Sequence, residues 1–164
     1  MKSSKLTSKC QVCNSTKLEL IKFFGYMPPV NQVINHNKRP IEQPSYPTEL
    51  LHCKECHLFQ LGLIVDKEIL FPKKYPYTSS TTKILRENFS NLKKEISNFK
   101  TLNKKDLVID IGSNDGNLLR NFKNDCMVLG VTPEDIGKKA IKEGINTILD
   151  YFNEKTATKI LKNY

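Results

Sequence analysis

Four of the chain's five cysteines fall in two Cys-x-x-Cys pairs, Cys10-Gln-Val-Cys13 and Cys53-Lys-Glu-Cys56. No other feature restricts the fold so tightly. Each pair can close a tight knuckle whose two thiolates face one ion. Two knuckles together give a tetrahedral four-sulfur set of the kind that suits Zn²⁺. Residues 14–52 separate the pairs. That is more than the ~15–20 residues of the common ribbon spacing, so the interval must carry structure of its own. Disulfides and a redox dithiol compete with this reading. Disulfides need an oxidising compartment, and Met1 to Cys10 has no apolar run of the secretory kind. A redox pair normally follows a strand and opens a helix, and neither pair sits in that setting. The expectation is a closed structural zinc site at Cys10, Cys13, Cys53 and Cys56, contributing folding energy and no catalysis. His52 and His57 flank the second pair and are expected at the surface. Cys126, alone in an apolar run, is expected to be a buried small hydrophobe.

Charge narrows the partners. The 164 residues carry a formal net charge of +9, and the excess lies before residue 107. A basic chain invites a nucleic-acid reading. Only three of the basic residues are Arg (Arg39, Arg86, Arg120), however, and no aromatic cluster accompanies them, so nucleic acid is not the expected partner. No run approaches the ~18 apolar residues of a membrane helix. A cytoplasmic protein with no membrane partner is expected. The length suffices for one full domain or two small ones, and falls short of a small domain followed by a complete doubly wound α/β domain.

Along the chain, residues 1–9 read as a flexible lead, 10–62 as the zinc module, 63–80 as an aromatic linker and 81–164 as an α/β segment. Leu18 to Phe24 is expected as a strand and Gly25 to Asn31 as a turn-rich loop. Asn35 to Tyr46, with two prolines, is expected as a second loop, and Leu58 to Leu61 as a strand. Phe71 to Ser80 is the proline-interrupted linker. Over residues 81–100, Leu85, Phe89, Leu92, Ile96 and Phe99 form one apolar stripe of helical period. Then come a buried-type strand at Asp106 to Ile111, a helix from about Asn117 to Asn124, and a strand at Met127 to Val131. A helix over Glu134 to Glu143, a strand over Ile145 to Leu149 and a helix from Lys155 to Leu161 complete the alternation. Such alternation implies a parallel sheet.

The strand at 107–111 ends in Asp110-Ile-Gly-Ser-Asn-Asp-Gly116. Glycines at 112 and 116 let backbone approach a ligand closely at the carboxyl end of a parallel strand, where open α/β sheets bind ligands. The turn lacks the second glycine of a dinucleotide fingerprint and the Gly-Lys-Ser/Thr of a P-loop. An acidic residue in the strand followed by Gly-x-x-x-Gly is the shape of an S-adenosylmethionine (SAM) turn. At the end of the next strand, where an acidic residue usually binds ribose, stands Thr132. Two readings stand for it: a helix N-cap in Thr132-Pro133-Glu134-Asp135, or a hydroxyl offered to a ribose with Glu134 compensating. Asp150 follows the third strand, either as an adenine contact or as an ordinary loop carboxylate.

Taken in order, these motifs resemble one family. They are the two Cys-x-x-Cys pairs, Gly25-Tyr-Met-Pro-Pro-Val-Asn31, Tyr46-Pro47, Leu58-Phe-Gln-Leu61, Phe71-Pro-Lys-Lys-Tyr-Pro-Tyr-Thr-Ser-Ser80, and Val108-Ile-Asp-Ile-Gly-Ser-Asn-Asp-Gly-Asn-Leu-Leu119. The family is the SAM-dependent C-methyltransferases with an N-terminal zinc-binding domain, and the similarity runs from Cys10 to about Phe152. The resemblance implies an α/β fold class: a small four-cysteine zinc-binding module followed by the first half of a Rossmann-like class I SAM methyltransferase sheet. It implies transfer of a methyl group to a carbon of a nucleotide-linked keto-sugar or similar small molecule. SAM contacts are expected at Asp110, Gly112, Ser113, Asn114, Gly116 and Thr132. Asp110 would order the turn or meet the methionine ammonium. Tyr75 and Tyr77 would cover the cofactor or pack at the domain junction. Family members often carry Glu where Thr132 stands. They continue past the equivalent of Tyr164 into further strands and a C-terminal domain, where the resemblance places the catalytic base. The chain is therefore expected to be a fragment, or one piece that a partner chain completes, with the strand at 107–111 left as a sheet edge. The alternatives are a zinc-ribbon binding module for nucleic acid or protein, and a non-catalytic remnant of the fold.

Overall fold

The structure is a computed structural model and describes residues 4–33, 36–37 and 42–164. It divides into two compact units, with the boundary between Leu70 and Phe71. Among the described residues no helix is long and apolar enough to cross a membrane.

The first unit is a small antiparallel β structure. Strand β1 (Lys5–Leu6) pairs with β5 (Leu63–Ile64) and ties the start of the unit to its end. Strands β2 (Leu18–Met27), β3 (Tyr46–Cys53) and β4 (Phe59–Leu61) form one sheet with β3 in the centre, and a short helix α1 (Lys67–Leu70) closes the unit. The long interval between the cysteine pairs is thus occupied by the β2–β3 pair. Strand β2 runs past Phe24 into the stretch expected as loop. Register shifts between Leu20 and Lys22, and between Phe23 and Tyr26, absorb Gly25, whose φ is +99°. Strand β3 was not expected at all, because Pro47 and the mixed polarity of Thr48, Glu49 and His52 hide its period. Pro47 is tolerated because it sits second in the strand, beside the bulged part of β2. Of the second expected loop, residues 35 and 38–41 lie outside the described residues. Little apolar area is buried in this unit: among the described residues, Cys10, Leu51 and Cys53 are its buried hydrophobic side chains, with Pro29 also buried.

The second unit is α/β with a parallel sheet. Strands β6 (Leu107–Ile111), β7 (Met127–Val131) and β8 (Thr147–Ile148) lie in the order β6–β7–β8, with Leu107 beside Met127 and Val131 beside Ile148. Period-two alternation sends successive residues to opposite faces. On one face Val108 and Val128 pack with Leu119, Phe122, Cys126, Ala140 and Ile145. This is the side of α2 (Lys83–Phe99), through Ile96, and of α3 (Gly137–Lys142). On the other face Leu107, Leu129, Val131 and Ile148 pack against Ile160 of α4 (Glu154–Asn163). Asn153 caps α4 by accepting from the Thr156 N–H at 3.0 Å. Cys126 is buried, as expected. Among the described residues the outer edge of β6 has no partner strand, and Ile111 on it is 58% exposed.

Two expected helices differ. Residues 117–124 form turns and one 3-10 turn, Leu119–Asn121. Here Asn side chains compete with a helical ladder: Asn117 Nδ2 donates to Ser79 O, and Asn121 Nδ2 to the carbonyls of Asn117 and Leu118. Helix α3 starts at Gly137, so Thr132 does not cap it.

Candidate functional site

Two knuckles of the same build bring the cysteines together. In the first, Asn14 N donates to Cys10 O at 3.0 Å and Cys10 N to Ser15 O at 2.8 Å. In the second, His57 N donates to Cys53 O at 2.9 Å and Cys53 N to Leu58 O at 2.8 Å. The residue after each pair is left-handed, Asn14 at φ 60° and His57 at φ 61°. Backbone N–H groups of Val12 and Cys13 point at the Cys10 sulfur, and those of Glu55 and Cys56 at the Cys53 sulfur. Those donors pull the Cys10 thiol down to about 6, the amide of Cys13 contributing most. This local repeat, invisible in the residue identities, explains His57. It fills a turn position, its ring lies 5.5 Å from that of His52, and it is no ligand.

All four sulfurs lie within 4.8 Å of one another, with Cys10–Cys56 and Cys13–Cys53 both at 3.5 Å. A tetrahedron with Zn–S bonds of about 2.3 Å has S–S edges of about 3.8 Å, so the set fits that ion. The separations are too long for disulfides, whose S–S bond is about 2.05 Å. Cys10, Cys13, Cys53 and Cys56 would hold Zn²⁺ with no open position. Gln60, buried beside them, clasps the first knuckle from β4. Its Oε1 accepts from Gln11 N at 2.9 Å and its Nε2 donates to Lys9 O at 3.3 Å. Surface ion pairs Lys17–Glu55 and Lys54–Glu19 add a rim.

The glycine-rich turn of the second unit sits at the carboxyl end of β6. Gly112 N and Ser113 N both donate to Val131 O, at 2.8 and 3.2 Å, so these amides fold onto β7. The expected free N–H groups of a helix N-terminus are absent here, since no helix follows. The two glycines serve different ends. Gly112 has φ +84°, and a Cβ there would meet nothing within 4 Å, so its outward face is open. Gly116 has φ +77°, and a Cβ there would lie 2.8 Å from Ile145 and 2.9 Å from Ala140. It is a packing glycine. The Ser113 hydroxyl is buried against Gly130, without a hydrogen-bond partner among the described residues. Asp110 is pushed up by burial, and among the described residues nothing bonds its carboxylate.

Asn114, Asp115 and Asn117 hold the linker. Asn114 accepts from Ser79 N at 2.9 Å and donates to Tyr77 O at 3.1 Å, with φ 49°. Its side chain is spent there. Asp115 is 0% exposed, accepts from Ser79 Oγ at 2.7 Å and pairs with Lys139 at 3.2 Å and Arg120 at 3.7 Å. Burial alone would push this carboxyl up. Hydrogen bonds from Ser80, Ser79 and Lys139, with the Arg120 charge, outweigh it and hold the group below the usual carboxylate range. Farther back, Lys73 O accepts from Asp135 N at 2.7 Å and Phe71 O from Tyr151 Oη at 2.9 Å. The linker from Phe71 to Thr81 is therefore a strap laid past the carboxyl ends of β8, β7 and β6 in turn. Tyr75, its ring 5.8 Å from that of Phe71, and Tyr77, 41% exposed, ride on it. Sequence reading missed Gln60, Ser79, Asp115, Asn117 and Lys139 because their partners lie far along the chain. The Ser-Asn-Asp-Gly string was the one signal for them, since Asn and Asp side chains readily bond nearby backbone.

At the end of β7, Thr132 and Glu134 are both buried, and the Thr132 hydroxyl donates to Glu134 Oε2. Asp150 accepts from the N–H of Tyr151 at 2.7 Å, as a loop carboxylate does.

Comparison with known proteins adds two findings. Residues 10–71 match the family model Methyltransf_13, described as a zinc binding domain. Over 154 residues, 93% of this chain, the sequence is 24% identical to the C-methyltransferase NovU of Streptomyces niveus. The chain spans 36% of that relative's length.

Proposed function

We propose that this chain, similar to the N-terminal portion of methyltransferases that carry such a zinc-binding domain, works as part of a SAM-dependent C-methyltransferase. One observation carries the reading. Similarity to a C-methyltransferase runs through 93% of the chain, and so extends well beyond the residues 10–71 that match the zinc-binding domain, into the second unit. Three features of the second unit support it. The turn lies at the carboxyl end of a parallel strand. Gly112 keeps open space above it. The strap runs along the same strand ends. In this reading β6–β8 is the first half of a Rossmann-like class I sheet.

When bound, SAM supplies a sulfonium methyl for attack by a carbon nucleophile. The chain's residues do the holding. Gly112 gives the ligand room. Asp110, with no partner among the described residues, receives the methionine ammonium. Tyr75 and Tyr77 cover the ligand from the strap. The zinc site takes no part in the reaction, because its shell is closed by four thiolates. The acceptor we favour is a carbon of a nucleotide-linked keto-sugar or similar small molecule, removal of whose acidic α-proton creates the nucleophile. No described residue is assigned as the base.

Calorimetric titration of the zinc-loaded chain with SAM tests this. Saturable binding of one equivalent is expected. Asp110→Asn should weaken it by about tenfold or more, the usual worth of a hydrogen bond to a charged group. Because burial raises Asp110, its charge, and with it SAM affinity, should begin to fade at a pH above the usual carboxylate range near 4. No heat of binding at any pH overturns the reading.

A further inference from the structure

We propose that the four-cysteine site is a peroxide-sensitive switch: a hydroperoxide oxidises Cys13 or Cys56, disulfides close between the knuckles as Cys13–Cys53 and Cys10–Cys56, and the zinc is released. The proposal is independent of the SAM reading above.

The four sulfurs are not equivalent. Cys10 and Cys53, first in their pairs, are buried, whereas Cys13 and Cys56, second in theirs, are exposed. Backbone donors divide the same way. The Cys10 sulfur faces the N–H groups of Val12 and Cys13, and the Cys53 sulfur those of Glu55 and Cys56. Among the described residues the Cys13 sulfur has one backbone donor, the N–H of Ser15, and the Cys56 sulfur has one, the N–H of Leu58. A hydrogen bond occupies a lone pair that a thiolate would otherwise use in attack. Exposure and fewer donors thus mark the same two sulfurs as those an oxidant meets first.

Each exposed sulfur has a buried sulfur of the other knuckle beside it, Cys13 with Cys53 and Cys56 with Cys10, both at 3.5 Å. Closing to a disulfide bond of about 2.05 Å takes a movement of roughly 1.5 Å. The chemistry balances in two steps. The exposed thiolate attacks the peroxide: an S–O bond forms, the O–O bond breaks and hydroxide leaves, so sulfur is oxidised to a sulfenic acid and the peroxide is reduced. The buried thiolate then attacks that sulfur: the S–S bond forms, the S–O bond breaks and a second hydroxide leaves. One such disulfide removes two of the four ligands, and the two thiolates left no longer make a closed shell. The links join residues 46 and 40 positions apart. They tie the same two knuckles that the ion holds, and so keep them together for reloading after reduction.

Hydrogen peroxide titrated into the zinc-loaded chain tests this. A chromogenic chelator reads free zinc, and non-reducing peptide mass mapping reads the links. The expected result is loss of one zinc ion per chain, links Cys10–Cys56 and Cys13–Cys53, and recovery of zinc binding after dithiothreitol and added Zn²⁺. Cys126, 4% exposed and outside the site, should stay a thiol throughout. Limiting N-ethylmaleimide should label Cys13 and Cys56 ahead of Cys10 and Cys53. All these readouts use the wild-type chain, so none depends on a variant's folding. Zinc kept at peroxide that already oxidises Cys126, disulfides within a knuckle, or sulfinic acids with no disulfide would each overturn the proposal, as would equal labelling of the four cysteines.

Discussion

At the scale of single residues, two glycines in one turn make a sharp contrast. Both have positive φ, so an alanine at either bears backbone strain of about 1–2 kcal/mol. Gly116→Ala must also drive a methyl group into Ala140 and Ile145, which adds about 1–3 kcal/mol of overpacking. Denaturant unfolding should therefore rank Gly116→Ala as clearly the more damaging, and Gly112→Ala as the milder change. Equal losses would contradict the packing role of Gly116. Asp115 gives a pH prediction. Its folded pKa is depressed, so its stabilisation is complete above the unfolded value near 4 and is lost as pH falls through the lower, folded value. Asp115→Asn should cost on the order of 2 kcal/mol at pH 7, and the gap to wild type should close as pH falls through the depressed, folded value. A gap that stays constant in acid would show that the carboxylate charge is not what holds the strap. The four paired cysteines were legible in the sequence because ligand chemistry demands that residue at that spacing. Asp115 and Gln60 were not. Each owes its role to a fold that sets it against a chosen partner, and an acid or amide alone in a string carries no mark of that.

At the scale of elements, periodicity decided what could be read. The stripe of α2 and the β-branched run of β6 announced themselves, and β7 stands at the bounds its pattern gives. Strand β3 was hidden by Pro47 and mixed polarity, although it is the centre of its sheet. The helix expected after the glycine-rich turn gave way to asparagine side chains bonding to backbone. Strand β6 is the element with an exposed consequence. Its outer edge is unpaired among the described residues, and Ile109 and Ile111 stand on it partly bare. Bare apolar edges promote pairing with other chains. Ile111→Lys should lower self-association in light scattering while leaving the unfolding midpoint nearly unchanged. Unaltered self-association would place the sticky surface elsewhere.

At the scale of the whole molecule, the two units differ in what holds them. The second has apolar clusters on both faces of its sheet. Among the described residues the first has Cys10, Leu51 and Cys53 as its buried hydrophobic side chains, and two of those belong to the four-cysteine site. Zinc binding in small cysteine sites is worth about 10–16 kcal/mol near neutral pH, far more than so slight a core. Chelation should abolish hydrogen-exchange protection in β2 and β3 and leave β7 protected. Loss of both together would mean that the second unit depends on the metal too. This two-part plan was legible because the cysteine pairs and the glycine-rich turn are local signals. The strap was not, since it joins one stretch of chain to three strand ends that only folding brings near. The central claim is that one chain carries both a zinc site and a SAM site. Native mass spectrometry reads both at once. The account predicts one zinc ion retained per chain and one SAM added, displaced by S-adenosylhomocysteine. A chain that keeps its zinc and takes up no SAM would contradict it.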